Sequence, residues 1–252
     1  MRKSIATLHY LTQDLPDRTH QEQVRIACEA GVKWIQLRVK KPRPDKIGTA
    51  VGREQILSSN YEWLMIAEAA KKICDQYRAT LVINDSVSIA KAVNADGVHL
   101  GQEDESVEEA RKILGEEKII GCSTHSLEDL LTAKNFEVDY FGLGPFRFTS
   151  TKENLDAFLG LEGIKKIIQQ ARIAEITKPI IAIGGIQLND VHAILEAGAD
   201  GVAVSSAINL SHDPVKAGKE FLKQLSHRDS FGTNKLSEGV LRTNNFKLET
   251  EA

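Results

Sequence analysis

Several short polar clusters close apolar runs in this chain, and their residue types suit phosphate and metal chemistry. The run ending Gln36-Leu37-Arg38-Val39-Lys40 places Gln36, Arg38 and Lys40 on one face of a strand, with Leu37 and Val39 on the other. Two cations at a strand end fit a polyanion; strand-end charges that are simply solvated look the same. Asn84-Asp85 ends another run just before a helical pattern, so Asp85 reads either as a metal carboxylate or as the cap of that helix. In Gly97-Val98-His99-Leu100-Gly101-Gln102-Glu103-Asp104, Asp104 can reach the same mouth as Asp85. His99 reads as a satisfied core histidine rather than an acid or base, and Glu103 and Glu105 read as solvated acids. Mg²⁺ takes one or two carboxylates, several waters and substrate phosphate oxygens. Two carboxylates facing two cations therefore describe a Mg²⁺–diphosphate site.

Further along, Gly121-Cys122-Ser123-Thr124-His125 offers the Ser123 hydroxyl to a phosphate or to nearby backbone, and His125 reads as a surface residue. Thr149, Thr151 and Lys152 supply two hydroxyls and a point charge, or else form a flexible polar loop. Gly184-Gly185 and Ser205-Ser206 end the last two apolar runs, where backbone N–H groups and a helix start can meet a phosphate. The clusters imply two anion sites: one with metal across the second to sixth runs, and one without metal at the seventh and eighth.

The elements that would position these groups alternate strictly. Strands are expected near 5–12, 34–40, 79–85, 97–101, 118–124, 139–144, 179–185 and 201–206. Their near-continuous apolar character suits a parallel sheet buried on both faces. Helical periodicity fills the gaps, as in Val24, Ala27, Cys28 and Gly31, in Trp63, Ile66, Ala67 and Ala70, and in Ile164, Ile167, Ile168 and Ala171. Ser106 with Glu109 and Ser126 with Asp129 have capping-box spacing, and Asp213-Pro214 fits an N-cap followed by Pro at the first helical position. Ala95-Asp96-Gly97-Val98 returns as Ala199-Asp200-Gly201-Val202, an internal echo. Eight strand–helix units in roughly 225 residues predict a single-domain (β/α)8 TIM barrel, with active-site groups at the C-terminal strand ends. An open dinucleotide-binding sheet would carry a GxGxxG turn after its first strand, and the sequence has none. Residues 41–60 form a long connection inside the 1–225 barrel, and 226–252 is a polar tail.

Composition narrows the function classes. A net charge of −3 from 35 acidic and 32 basic residues leaves no overall basic footprint for nucleic acid. No apolar run reaches the length of a membrane span, so a cytoplasmic protein acting on small phosphorylated molecules is expected. Cys28, Cys74 and Cys122 are odd in number and far apart in sequence, which fits core thiols in a reducing compartment rather than a disulfide framework.

The ordered set of motifs resembles the thiamine phosphate synthase family. The matching pieces are Gln36-Leu37-Arg38-x-Lys40, Asn84-Asp85, His99-Leu100-Gly101-Gln102-x-Asp104, Gly121-x-Ser123-x-His125, Gly142-Leu143-Gly144-Pro145 with Thr149-x-Thr151-Lys152, Ala182-Ile183-Gly184-Gly185-Ile186, and Ser206-Ala207-Ile208. They run in family order across most of 5–224. The resemblance implies a transferase that joins a hydroxymethylpyrimidine diphosphate to a hydroxyethylthiazole phosphate with Mg²⁺, releasing pyrophosphate. It assigns Arg38 and Lys40 to the pyrophosphate, Gln36 and Asn84 to the pyrimidine substrate, and Asp85 and Asp104 to Mg²⁺. Ser123 and Lys152 would act at the pyrophosphate, as the catalytic pair. Thr149, Thr151, Gly185 and Ser206 would hold the thiazole phosphate. Val39 stands where the family often has Glu, Phe148 where it has Pro, and Arg147 at a usually apolar position. A thiazole tautomerase-like enzyme, another phosphate-binding barrel, and a non-catalytic thiazole phosphate-binding regulator are the rival readings. The paired aspartates and Lys152 favour the synthase.

Overall fold

The computed structural model describes residues 4–40, 53–147 and 158–226, with 53–60 as helix backbone only. Eight parallel strands form a closed barrel in sequence order: β1 (Leu8–Leu11), β2 (Trp34–Leu37), β3 (Thr80–Asn84), β4 (Gly97–Leu100), β5 (Ile119–Thr124), β6 (Tyr140–Leu143), β7 (Ile180–Ile183) and β8 (Gly201–Val204). The helices are α1 (His20–Glu29), α2 (Arg53–Tyr77), α3 (Val87–Ala92), α4 (Val107–Leu114), α5 (Leu127–Ala133), α6 (Gly160–Ile173), α7 (Val191–Glu196), α8 (Ser206–Asn209) and α9 (Pro214–Ser226), with one 3-10 turn at Leu188–Asp190. The architecture is therefore the (β/α)8 barrel that the strand–helix rhythm predicts. Helix α2 starts at Arg53, inside the stretch read as a connection over 41–60; residues 41–52, 148–157 and 227–252 lie outside the described residues.

Strand alternation sorts the apolar residues into two layers. Leu8, Tyr10, Ile35, Leu37, Leu81, Ile83, Phe141 and Val202 pack outward with Val24, Ala67, Ile164, Ile168 and Phe221 from the helices. Leu11, Trp34, Val82, Ile119, Tyr140, Ile181 and Ala203 fill the barrel interior. Because each strand shows its other face to the helices, both faces are dry, which is why the strands read as unbroken apolar runs. The helix starts obey the predicted signals. Ser106 accepts from the Glu109 N–H at 3.2 Å, Ser126 and Asp129 form a reciprocal capping box, and Asp213 accepts from the Lys216 N–H at 2.9 Å. Gly31 differs: it lies just past α1 with φ 95°, a helix stop rather than part of the apolar face.

The echo seen at Asp96 and Asp200 has a structural purpose, and Asp139 shares it. Each of these residues sits just ahead of a strand and accepts from an N–H at the start of the preceding strand, its first or second: Leu81 to Asp96, Ile120 to Asp139 and Ile180 to Asp200, all at 2.8 Å. Arg111 and Arg172 then reach Asp139 and Asp200 from α4 and α6. These stitches lie at the N-terminal end of the barrel, away from the expected mouth.

The interior floor carries a buried histidine. His9 stacks on Trp34 with ring centroids 4.3 Å apart and donates through Nε2 to the Ala6 carbonyl at 3.0 Å. Burial, helped by nearby His99 and opposed by the Ala6 hydrogen bond, pushes its pKa down to about 3. Below about pH 6.5 the unfolded chain binds a proton at this position that the native barrel refuses. Stability is therefore lost as pH falls from about 6.5 toward 3, by roughly 2 kcal/mol at pH 5 from this residue. Urea unfolding at pH 7 and pH 5 checks this. His9→Gln, which keeps a neutral donor, is expected to lose less stability over that interval than wild type, and equal losses would refute the assignment.

Candidate active site

The polar residues expected at the mouth stand on the C-terminal ends of adjacent strands. Gln36 is buried at the top of β2 and its amide donates to Asn84 Oδ1 at 2.6 Å, so the first two substrate-positioning candidates already hold each other. Asn84 pairs in register with His99, and the Asp85 N–H donates to the His99 carbonyl at 2.8 Å. His99 in turn meets Ser123 on β5, Nε2 to Oγ at 3.0 Å. One polar arc thus runs across β2, β3, β4 and β5. The satisfied-histidine reading of His99 holds, since both ring nitrogens are engaged, but one of its partners is a candidate catalytic residue.

Arg38 and Lys40 follow Gln36. The Thr12 hydroxyl ties that segment to β1: it accepts from the Arg38 N–H at 3.0 Å and donates to the Arg38 carbonyl at 3.3 Å. The Lys40 N–H donates to Asp14 at 3.2 Å. Among the described residues, neither the Arg38 guanidinium nor the Lys40 ammonium forms a hydrogen bond or ion pair. Arg38 is half-buried and Lys40 exposed.

The helix-cap alternative for Asp85 does not hold. Ser86 caps α3, its hydroxyl accepting from the Ile89 N–H at 3.3 Å. Asp85 is exposed and adopts φ 66°, a left-handed conformation that non-glycine residues rarely take and that Asp tolerates better than most. Asp104 sits four residues past β4, where its Oδ2 accepts from the Gly101 N–H at 2.7 Å. A Cβ on residue 101 would lie 3.0 Å from that oxygen, so the absence of a side chain there lets the carboxylate fold onto the turn. Asp104 and Ser123 line a common pocket of about 470 Å³, which opens between α4 and α5 at the ends of β4 and β5. Glu105 accepts from the Val87 N–H at 3.4 Å and is exposed.

On the opposite side of the mouth, Gly184 and Gly185 have φ 104° and 64°. A Cβ on Gly184 would meet Pro145 Cα at 2.7 Å, so the β6 and β7 ends approach as closely as backbone allows. Ser206 opens α8. Its neighbour Ser205 donates to Gln13 Oε1 at 2.9 Å and accepts from Asn209 at 3.3 Å, a support that crosses from β8 to β1. The expected phosphate residues Thr149, Thr151 and Lys152 lie outside the described residues, as does Phe148.

Three features escaped the sequence reading. Arg147 binds both carboxylate oxygens of Asp190 and donates to the Gly185 carbonyl at 3.1 Å, while its guanidinium lies 4.8 Å above the Phe146 ring. The Arg147 hydrogen bond holds the Asp190 carboxyl below its ordinary range. The arginine at a usually apolar position is thus anchored to the β7 turn. His125 is half-buried and not simply a solvated surface residue: it donates through Nδ1 to the Gly144 carbonyl at 2.6 Å. Cys28 and Cys74, distant in sequence, are neighbouring free thiols on α1 and α2; the interaction with Cys28 and burial push the Cys74 thiol up. Each feature depends on pairing between elements, which no local pattern announces.

Comparison with known proteins finds relatives along most of the chain. Residues 8–208 match the family model described as thiamine monophosphate synthase. The chain is 43% identical over 221 residues to a thiamine-phosphate synthase of Flavobacterium psychrophilum, covering 86% of this chain and 98% of that one. It is 39% identical over 216 residues to one from Bacteroides fragilis, again covering 86% and 98%. Among solved structures, a thiamine phosphate pyrophosphorylase from Pyrococcus furiosus superposes with a TM-score of 0.72 at 32% identity, covering 90% of this chain and 97% of its own. The chain belongs to the thiamine monophosphate synthase family.

Proposed function

We propose that this barrel condenses 4-amino-2-methyl-5-hydroxymethylpyrimidine diphosphate with 4-methyl-5-(2-hydroxyethyl)thiazole phosphate, forming thiamine phosphate and pyrophosphate. The observation that carries the reading is the arc from Gln36 through Asn84 and Asp85 to His99 and Ser123, flanked by Arg38 and Lys40. It offers hydrogen bonds for a heterocycle at one level and charge for a diphosphate above it.

Asp85 and Asp104 fit Mg²⁺. Both stand on loops at the C-terminal ends of adjacent strands, neither caps the helix that follows it, and Gly101 orients one of them. Among the described residues no three His, Cys, Asp or Glu side chains gather as a metal cage, which matches an ion that relies on water and substrate oxygens. When bound, Mg²⁺ would neutralise charge growing on the departing pyrophosphate. Arg38 and Lys40 would hold the diphosphate in place, and Ser123 and Lys152 would meet the negative charge as the C–O bond lengthens. Gln36 and Asn84 would position the pyrimidine while its methylene carries cationic character. Thr149, Thr151, Gly185 and Ser206 would hold the thiazole phosphate so that the ring nitrogen attacks that carbon. No protein nucleophile is needed. A reducing cytoplasm suits the free Cys28 and Cys74 pair, and among the described residues no helix is long and apolar enough to cross a membrane.

Purified protein incubated with both substrates and Mg²⁺ is expected to yield thiamine phosphate and pyrophosphate in equal amounts, with both lost on adding EDTA. Binding of thiazole phosphate without product would favour the tautomerase or regulator reading instead.

A further inference from the structure

We infer that Tyr140 and His99 are positioning residues, forming a buried relay that fixes the Ser123 hydroxyl so that its proton points at the departing pyrophosphate. The inference rests on the proposed function, in which Ser123 meets that group.

The relay spans three neighbouring strands. His99 on β4 holds Tyr140 Oη through Nδ1 at 2.9 Å and Ser123 Oγ through Nε2 at 3.0 Å. Tyr140 is 1% exposed and His99 6%, whereas Ser123 is half-buried, so the chain leads from the dry interior to the mouth. Two glycines clear its path. A Cβ on Gly121 would lie 2.2 Å from Tyr140 Cζ, and one on Gly142 would lie 3.1 Å from His99 Cε1. The Tyr140 ring is held from below, edge-on to both His9 and Trp34.

Hydrogen-bond bookkeeping gives the relay a direction. Burial holds the Tyr140 phenol protonated, so its O–H is a permanent donor, and among the described residues its hydrogen-bond partner is His99 Nδ1. A neutral imidazole has one N–H and one acceptor nitrogen. If Tyr140 donates to Nδ1, the ring proton sits on Nε2 and is donated to Ser123 Oγ. The reverse tautomer would leave the buried phenol proton without an acceptor, the costlier arrangement. Ser123 thus accepts from His99 and must send its own proton elsewhere. Among the described residues no protein acceptor receives it, and Ser123 lines a pocket together with Asp104. A hydroxyl that otherwise rotates freely is thereby committed to donation before substrate arrives, which is the preorganisation that transition-state charge rewards.

The test is a double-mutant cycle in the full-length protein, joined to a tautomer measurement. Tyr140→Phe keeps the ring and removes the donor; it is expected to lower kcat about tenfold with KM nearly unchanged, as for an interaction realised mainly in the transition state. In the Ser123→Ala background the same substitution is expected to change kcat less than about twofold, because the hydroxyl it orients is gone. Nitrogen-15 NMR of labelled histidine, with the His99 signals assigned by their loss in His99→Gln, is expected to show the Nε2–H form in wild type and a shift away from it in Tyr140→Phe. Equal kcat losses in both backgrounds would make Tyr140 merely structural, and an Nδ1–H ring in wild type would reverse the relay; either result overturns the inference. A wild-type chain that forms no thiamine phosphate overturns the functional reading and the relay's purpose with it, while the tautomer still decides the geometry on its own.

Discussion

Asp104→Ala is expected to lower Mg²⁺-dependent turnover on the order of a thousandfold while leaving the melting temperature close to that of wild type. The size follows from the work assigned to the carboxylate. Losing one preorganised group aimed at developing charge costs about 10²–10³ in kcat, and under the proposed role loss of the side chain would also weaken the hold on the metal. The small stability effect follows from position. Asp104 lies on a loop at the mouth, and its carboxylate accepts from the Gly101 N–H at 2.7 Å, a donor that can turn to water when the side chain is gone. Asp104→Asn separates the two contributions, because an amide oxygen can still accept from Gly101 but carries no charge. If the loop turn were what mattered, Asn would restore the rate. If the charge matters, Asn and Ala are comparably slow, and raising Mg²⁺ recovers part of the loss. Near-normal turnover of either variant in steady-state assays would remove Asp104 from the metal site.

Lys152→Ala is the second large effect, on the order of 10²–10³ in kcat, with the dissociation constant for thiazole phosphate changed by less than about threefold. The split is the informative part. A cation that meets the leaving pyrophosphate acts as the bond breaks, so its removal lowers kcat and kcat/KM together. A cation that only anchors the thiazole phosphate would weaken binding by the same factor. Isothermal titration with thiazole phosphate beside single-turnover rates distinguishes the two, and parallel losses would return Lys152 to a binding role.

Much of the fold was legible because a (β/α)8 barrel writes its plan into local sequence. Runs such as Ala79–Asn84 and Pro179–Ile183 are apolar on both faces, and the helices between them keep a 3.6-residue apolar stripe, so element type and order follow from periodicity. Ends were less legible. Gly31 fits the apolar spacing of α1 yet terminates it, because its φ of 95° suits a helix stop rather than a helix face. The candidate site was legible in its residues but not in its contacts. Asp85 presented the sequence with two equal roles, and only the Ser86 hydroxyl on the Ile89 N–H removes the capping one. His99 looked like core and is core, yet what it holds on either side is set by the register of β4 with β5 and by two glycines that make room. Arg147 looked like a departure from pattern; its partner Asp190 lies 43 residues away, beyond the reach of any local signal.

The aspartates ahead of β4, β6 and β8 have a consequence for how this chain can change over time. Each fastens one strand to its predecessor, so the barrel is assembled from strand pairs buttoned at the base. All three buttons sit at the end opposite the candidate mouth. Drift in the upper loops is therefore remote from the fastenings. The molecule resembles a chassis with a replaceable deck: lineages can rewrite loop length and loop chemistry, as at Arg147, while the frame stays roadworthy.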